Sequence, residues 1–180
     1  MERIPAMKKY LNKITDRLLK KRLKIIEGLF RKNEMNIEGS MKEVLLTLSD
    51  FIQKYQKYDR ITISYLRSSY LTQSHIFLAS CQSKVLFLEE ELPEKELDFS
   101  ILFVEIEQDI QQLEKELRQE FIRVLDGERE TIRRWYMDLL YRYFGELLEA
   151  VIGGKEEKNG IPLLYGGYME EQRQVGWVSI

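Results

Sequence analysis

The stretch RITISYLRSSYLTQSHIFLASCQSKVLFLEEE, residues 60–91, breaks the pattern of the chain around it. On both sides, apolar residues recur every three or four positions between Lys, Arg and Glu. Here β-branched Ile61 and Ile63, a series of Ser and Thr, the chain's one His and its one Cys stand together instead. Ile, Thr and Ser in quick succession lower helix propensity, and no continuous apolar stripe compensates. Strands fit better: the punctuation places them near 61–70, 75–81 and 84–89 as an antiparallel meander. A counter-signal is that no Gly occurs between Gly39 and Gly127, so a two-residue turn at Gln82 and Ser83 lacks its preferred residues. Three strands with an apolar face need helices packed on them.

The flanking segments supply those helices. Ile4, Met7, Leu11, Ile14, Leu18, Ile25 and Leu29 form one face of a helix over 5–32, with Pro5 tolerated in its first turn. Ser40 and Glu43 make a capping box that starts a second helix over 40–58, and the short link predicts that the two pack antiparallel. Acidic residues after Pro93, then Phe99, Leu102, Phe103, Ile106, Ile110, Leu113, Leu117, Phe121 and Leu125, predict a long helix over 94–125. A fourth helix over 127–152 carries paired apolar positions from Trp135 and Tyr136 to Leu147 and Leu148. A stripe that wide predicts burial against two neighbours. Residues 160–180 mix Gly with Leu, Tyr, Val and Trp, which predicts an extended segment docked on the fold. The expected fold is therefore helix-dominated α+β, a single domain over 1–180. Four long antiparallel-packed helices would carry a small antiparallel β-meander between the second and the third; the alternative is an all-α bundle.

The chain has 180 residues, 44% apolar and 32% charged, enough for one core and far from the composition of a disordered chain. A lone Cys81 makes no internal disulfide, the N-terminus lacks the apolar run of a signal peptide, and no segment has the length of a membrane span. These features predict a cytoplasmic protein without a membrane span. The net charge of −2 conceals an asymmetry: residues 1–32 hold eleven Lys and Arg against three acids, and residues 89–120 hold twelve acids against three cations. The simplest reading sets these two helices side by side, their charges fixing register.

For chemistry the inventory is thin. No HExxH, GxSxG, CxxC or post-strand GxGxxG is present, so no catalytic residue and no cofactor is assigned. His75 and Cys81 are zinc-ligand types, but in one strand they stand about 20 Å apart, and no second His or Cys completes a set; no metal is expected. Arg67, with Tyr65, Ser69 and His75 nearby in sequence, forms a candidate site for a small anionic ligand, because a guanidinium among hydroxyls binds phosphate or carboxylate. The plainer reading pairs Arg67 with Glu105 or Asp109 of the acidic helix.

Two functions lead, and a binder of, or enzyme on, a small anionic ligand centred on Arg67 is the second alternative. One is a non-catalytic interaction or regulatory protein that binds a protein partner or itself through apolar surface left over by the helices. The other is a nucleic-acid-binding module using Lys8, Lys9, Lys13, Lys20, Lys21 and Lys24, which is less favoured because these do not form one narrow stripe and no base-reading motif accompanies them. What separates the two is whether the basic face of the first helix meets the acidic helix or only solvent.

Overall fold

A computed structural model describes residues 3–33, 40–55, 58–83, 92–152 and 160–178. The fold is mixed α+β, with long helices and one five-stranded sheet. In chain order the elements are helices α1 (Arg3–Asn33) and α2 (Ser40–Lys54), strand β1 (Arg60–Tyr65), the single turn α3 (Ser69–Thr72), and strands β2 (Ile76–Gln82) and β3 (Glu94–Asp98). The single turn α4 (Ser100–Phe103), helices α5 (Ile106–Glu120) and α6 (Asp126–Ile152), and strands β4 (Ile161–Gly167) and β5 (Arg173–Val178) follow.

The opening stretch does form strands, with corrected bounds. β1 ends at Tyr65 rather than residue 70, because the Ser- and Thr-rich run after it closes on itself. Thr72 Oγ1 donates to the Ser68 carbonyl at 3.0 Å, and Gln73 adopts the left-handed conformation (φ 58°) as the turn ends. The expected strand over 84–89 falls outside the described residues. The strand that does pair with β2 is 94–98, the first part of the segment whose periodicity predicts a helix. That expected helix over 94–125 is replaced by β3, the turn α4 and a shorter α5; beyond it, Phe121 is extended (φ −110°, ψ 117°). In β3 only Leu97 is buried, set opposite Phe77 of β2, while its charged neighbours face solvent at the sheet edge.

Strand order is β3-β2-β1-β4-β5, and all neighbours are antiparallel except β1 and β4, which run parallel. The sheet is thus mixed, not a three-stranded meander alone, because the C-terminal segment enters it as β4 and β5. Register puts Ile61, Ile63 and Tyr65 on one face beside Cys81, Ala79 and Phe77 of β2 and, for the first two, Leu163 and Tyr165 of β4. Phe77 lies at the centre of an aromatic cluster with Phe99, Phe103, Tyr141 and Phe144, ring centroids 5.0–6.0 Å apart, mostly edge to face.

α6 packs on α1, α5, β4 and β5, while α2 packs on β3, so the long helices do not form an antiparallel bundle of their own. The cause is the double-width stripe of α6: Tyr136, Met137, Leu140, Tyr141, Phe144 and Leu148 are all buried, enough to serve both α1 and the sheet. Gly145 lets helix and sheet approach, since a Cβ there would lie 2.5 Å from Tyr165 Cδ1. Among the described residues, no helix is long and apolar enough to cross a membrane.

Candidate functional site

Arg67 follows β1 and is held by Glu170, in the turn between β4 and β5. The expected pairing with Glu105 or Asp109 is overturned, because those carboxylates belong to Arg22. That residue sits between Leu18 and Ile26 on the apolar face of α1, the face that packs on α5 and α6. Tyr65 and Arg67 line one side of a cleft of about 460 Å³. Tyr165 and Gly166 of β4 form another wall, α6 contributes Asp138 and Arg142, and the run from Glu170 to Arg173 closes the rim. Because β1 and β4 are parallel, the cleft lies at the carboxyl ends of adjacent parallel strands, where open sheets commonly bind ligands. Burial, then Glu170 and Asp138, raise the pKa of the Tyr65 phenol, and Arg142 and Arg67 oppose this. The phenol is neutral at pH 7 and available as a donor.

Ser69 and His75 are not in the cleft. Ser69 is buried and its hydroxyl donates to the Ile76 carbonyl at 3.3 Å. His75, 4% exposed, sits at φ 47° before β2 with Nδ1 3.0 Å from the Tyr141 hydroxyl and its ring 5.0 Å from that of Phe103. Of the four residues the sequence groups together, two line the cleft and two stabilise the fold beneath it. Burial pushes the His75 pKa down to about 4, with Arg133 acting the same way and Glu107 and Asp98 opposing. An ordinary His in the unfolded chain takes up its proton near pH 6.5, so the native state loses stability as pH falls from 6.5 toward 4. Between pH 7 and 5 this loss is about 2 kcal/mol. Urea midpoints measured across that range should fall for the native chain and stay nearly flat for His75→Asn, a residue that tolerates positive φ. An equal slope in both would remove His75 as the source. Cys81 is buried in β2 and burial raises its thiol pKa to about 11, so it behaves as a small apolar residue. No group of three or more metal-ligand side chains occurs among the described residues.

The most buried charges lie elsewhere. Arg22 is 2% exposed and Asp109 3%; Arg22 Nε and Nη2 donate to the two Asp109 oxygens at 2.8 and 2.7 Å, and Tyr136 donates its hydroxyl to Asp109 Oδ2 at 2.8 Å. Glu105, on the solvent side, completes the shell of Arg22. Burial alone would lower the Arg22 pKa, but Asp109 and Glu105 outweigh it and raise it; hydrogen bonding from Arg22 in turn lowers that of Glu105. The expected meeting of basic and acidic helices therefore takes place, through one buried Arg. A signal for it exists in the sequence: Leu18, Arg22 and Ile26 are four apart, so Arg22 interrupts the apolar row.

The lysines of α1 divide. Lys8 faces inward, its Nζ 5.6 Å from the centroid of the Trp135 ring. Lys9, Lys13, Lys20 and Lys24 are exposed at i, i+4, i+11 and i+15, one face at 3.6 residues per turn, with Arg17 and Lys21 exposed beside them. Four of the six lysines thus do form a line, about 22 Å long at roughly 1.5 Å per residue. Neither these four nor Arg17 makes an ion pair among the described residues. Among the described residues, Asp16 is the one fully exposed acid on this face, with Glu27 partly exposed beyond Lys24. Comparison with known proteins finds no matching family model, no matching curated protein and no matching solved structure.

Proposed function

We propose that the chain is a non-catalytic interaction protein that binds the phosphate backbone of nucleic acid through the outer face of α1. One observation carries this reading: Lys9, Lys13, Lys20 and Lys24 form an exposed line in which none makes an ion pair among the described residues, whereas the apolar face of the same helix is in the core. The burial of Met7, Leu11, Leu18 and Ile26 argues against insertion of α1 into a membrane surface, which would need that face. The apolar faces of α1 and α6 that favoured a protein partner are in the core, which leaves charge as the outer signal of α1. Lysines act as hydrated point charges, and no aromatic residue stands in the line, so the contact expected is sequence-independent.

The test is fluorescence anisotropy with a labelled DNA duplex and a single-stranded RNA across a salt series. About four phosphate contacts give a log-log slope near −4 on duplex, a loss of roughly 200-fold between about 50 and 200 mM salt. Lys13→Glu with Lys20→Glu should abolish binding while the thermal midpoint holds. Absence of binding at micromolar protein in about 50 mM salt overturns the reading and returns the exposed lysines to an acidic protein partner.

A further inference from the structure

The cleft at the carboxyl ends of β1 and β4 has a chemistry unlike that of α1. Three guanidiniums, Arg67, Arg142 and Arg173, reach it from three separate elements, and three carboxylates, Asp138, Glu170 and Glu171, share it. The cations are not equally engaged. Arg67 is bound to Glu170, Arg173 meets Glu149 only at 3.9 Å, and Arg142 makes no ion pair among the described residues. Arg173 Nη2 lies 3.0 Å from where a Gly145 Cβ would stand, and Gly145 is one turn along α6 from Arg142, so both arginines line the cleft on its α6 side. Like charges brought together this way favour an anionic group between them.

The wall also carries the opposite charge. Asp138 is one helical turn before Arg142, about 6 Å along the axis, a separation suited to the ammonium and carboxylate of one small molecule. The tyrosines point the same way. Tyr136 donates to Asp109, Tyr165 donates to the Tyr141 carbonyl at 2.8 Å, and Tyr141 bonds to His75; the hydroxyl of cleft-lining Tyr65 has no hydrogen-bond partner among the described residues. The cleft's volume falls within the ordinary range for small-molecule sites, about 300–1,000 Å³. With three charges of each sign, it favours a ligand bearing both signs over a simple polyanion.

We propose that this cleft binds a small zwitterion of the amino-acid or short-peptide class, its carboxylate between Arg142 and Arg173 and its ammonium toward Asp138. The proposal is independent of the nucleic-acid reading, and its test leaves α1 untouched. Isothermal titration of the full chain would use free amino acids and dipeptides, with their N-acetyl and carboxamide forms as controls. At least one zwitterion should bind with a Kd of about 1 mM or tighter, and blocking either end should weaken it by about tenfold or more. Arg142→Ala and Tyr65→Phe should each weaken binding by about tenfold, with thermal midpoints within about 2 °C of the parent. No saturable binding up to about 10 mM overturns the proposal. So does an N-acetyl form that binds as well as its parent, or an Arg142→Ala chain of unchanged affinity.

Discussion

Replacing Arg22 with Met lowers the unfolding free energy by about 3–5 kcal/mol, measured by urea denaturation at pH 7. Met keeps most of the apolar stem, so the loss is chiefly electrostatic. Asp109, 3% exposed, would be left with the Tyr136 hydroxyl as its one remaining side-chain donor among the described residues. A carboxylate taken out of water and deprived of its cation is among the costliest single changes a core can receive. Against a typical total of about 5–15 kcal/mol, the variant is at the margin of folding. The triple variant Arg22→Met, Asp109→Leu, Tyr136→Phe removes the buried polar members, leaving Glu105 on the solvent side, and should return to within about 1–2 kcal/mol of the parent, because well-packed apolar replacements of buried ion pairs are often neutral. A single variant that loses less than about 1 kcal/mol would mean the pair is hydrated in solution. The network's role is then one of register. It favours one alignment of α1 on α5, because a shift of one turn toward the C-terminal end of α5 would move the guanidinium from Asp109 to apolar Leu113, and a shift the other way would leave it Glu105 alone.

The same network marks the limit of what periodicity conveys. α1 and α6 are legible because their apolar residues repeat at 3.6 over many turns, and the breadth of the α6 stripe foretells its two sets of neighbours. β3 is not. Its sequence, Glu94-Lys95-Glu96-Leu97-Asp98, has one buried apolar residue and four charged ones. What makes it a strand is the free edge of β2, a tertiary fact, and its charges are what an outer strand needs to avoid further pairing. The parallel pairing of β1 with β4 bridges a hundred residues and leaves no local trace. The cleft inherits that difficulty: Tyr65 and Arg67 are visible in the sequence as a polar and aromatic knot, but Arg142 and Arg173 reach them only through the crossover. Ser69 and His75 were near neighbours by sequence alone, and the turn at α3 carries them beneath the surface.

Ending the chain before Gly160 abolishes cooperative folding. The sequence alone, with one or two docked side chains, would put the loss at about 2–3 kcal/mol for each. The structure enlarges it, because the segment supplies an interior strand. β4 lies between β1 and β5, and Ile161, Leu163 and Tyr165, with Val175 of β5, are buried. At about 1.5–3 kcal/mol for each fully buried side chain, these four amount to roughly 6–12 kcal/mol, comparable to the whole stability of an ordinary domain. Removal also strips β1 of its parallel ladder, from Ile61↔Leu163 to Tyr65↔Gly167, and frees the Tyr65 carbonyl that accepts from Tyr168 N at 3.0 Å. The exposed edge would then carry Ile61 and Ile63 beside uncovered Phe77 and Phe144, a surface that pairs with other chains. Residues 1–159 should therefore show helical far-ultraviolet dichroism without a near-ultraviolet aromatic signal, and elute as aggregates. A synthetic peptide of residues 160–178 should restore the near-ultraviolet signal by adding β4 and β5 in trans, as an extended peptide completes an open sheet. A truncated chain that stays monomeric with the parent's urea midpoint would show that β1 and β2 hold the helices without β4.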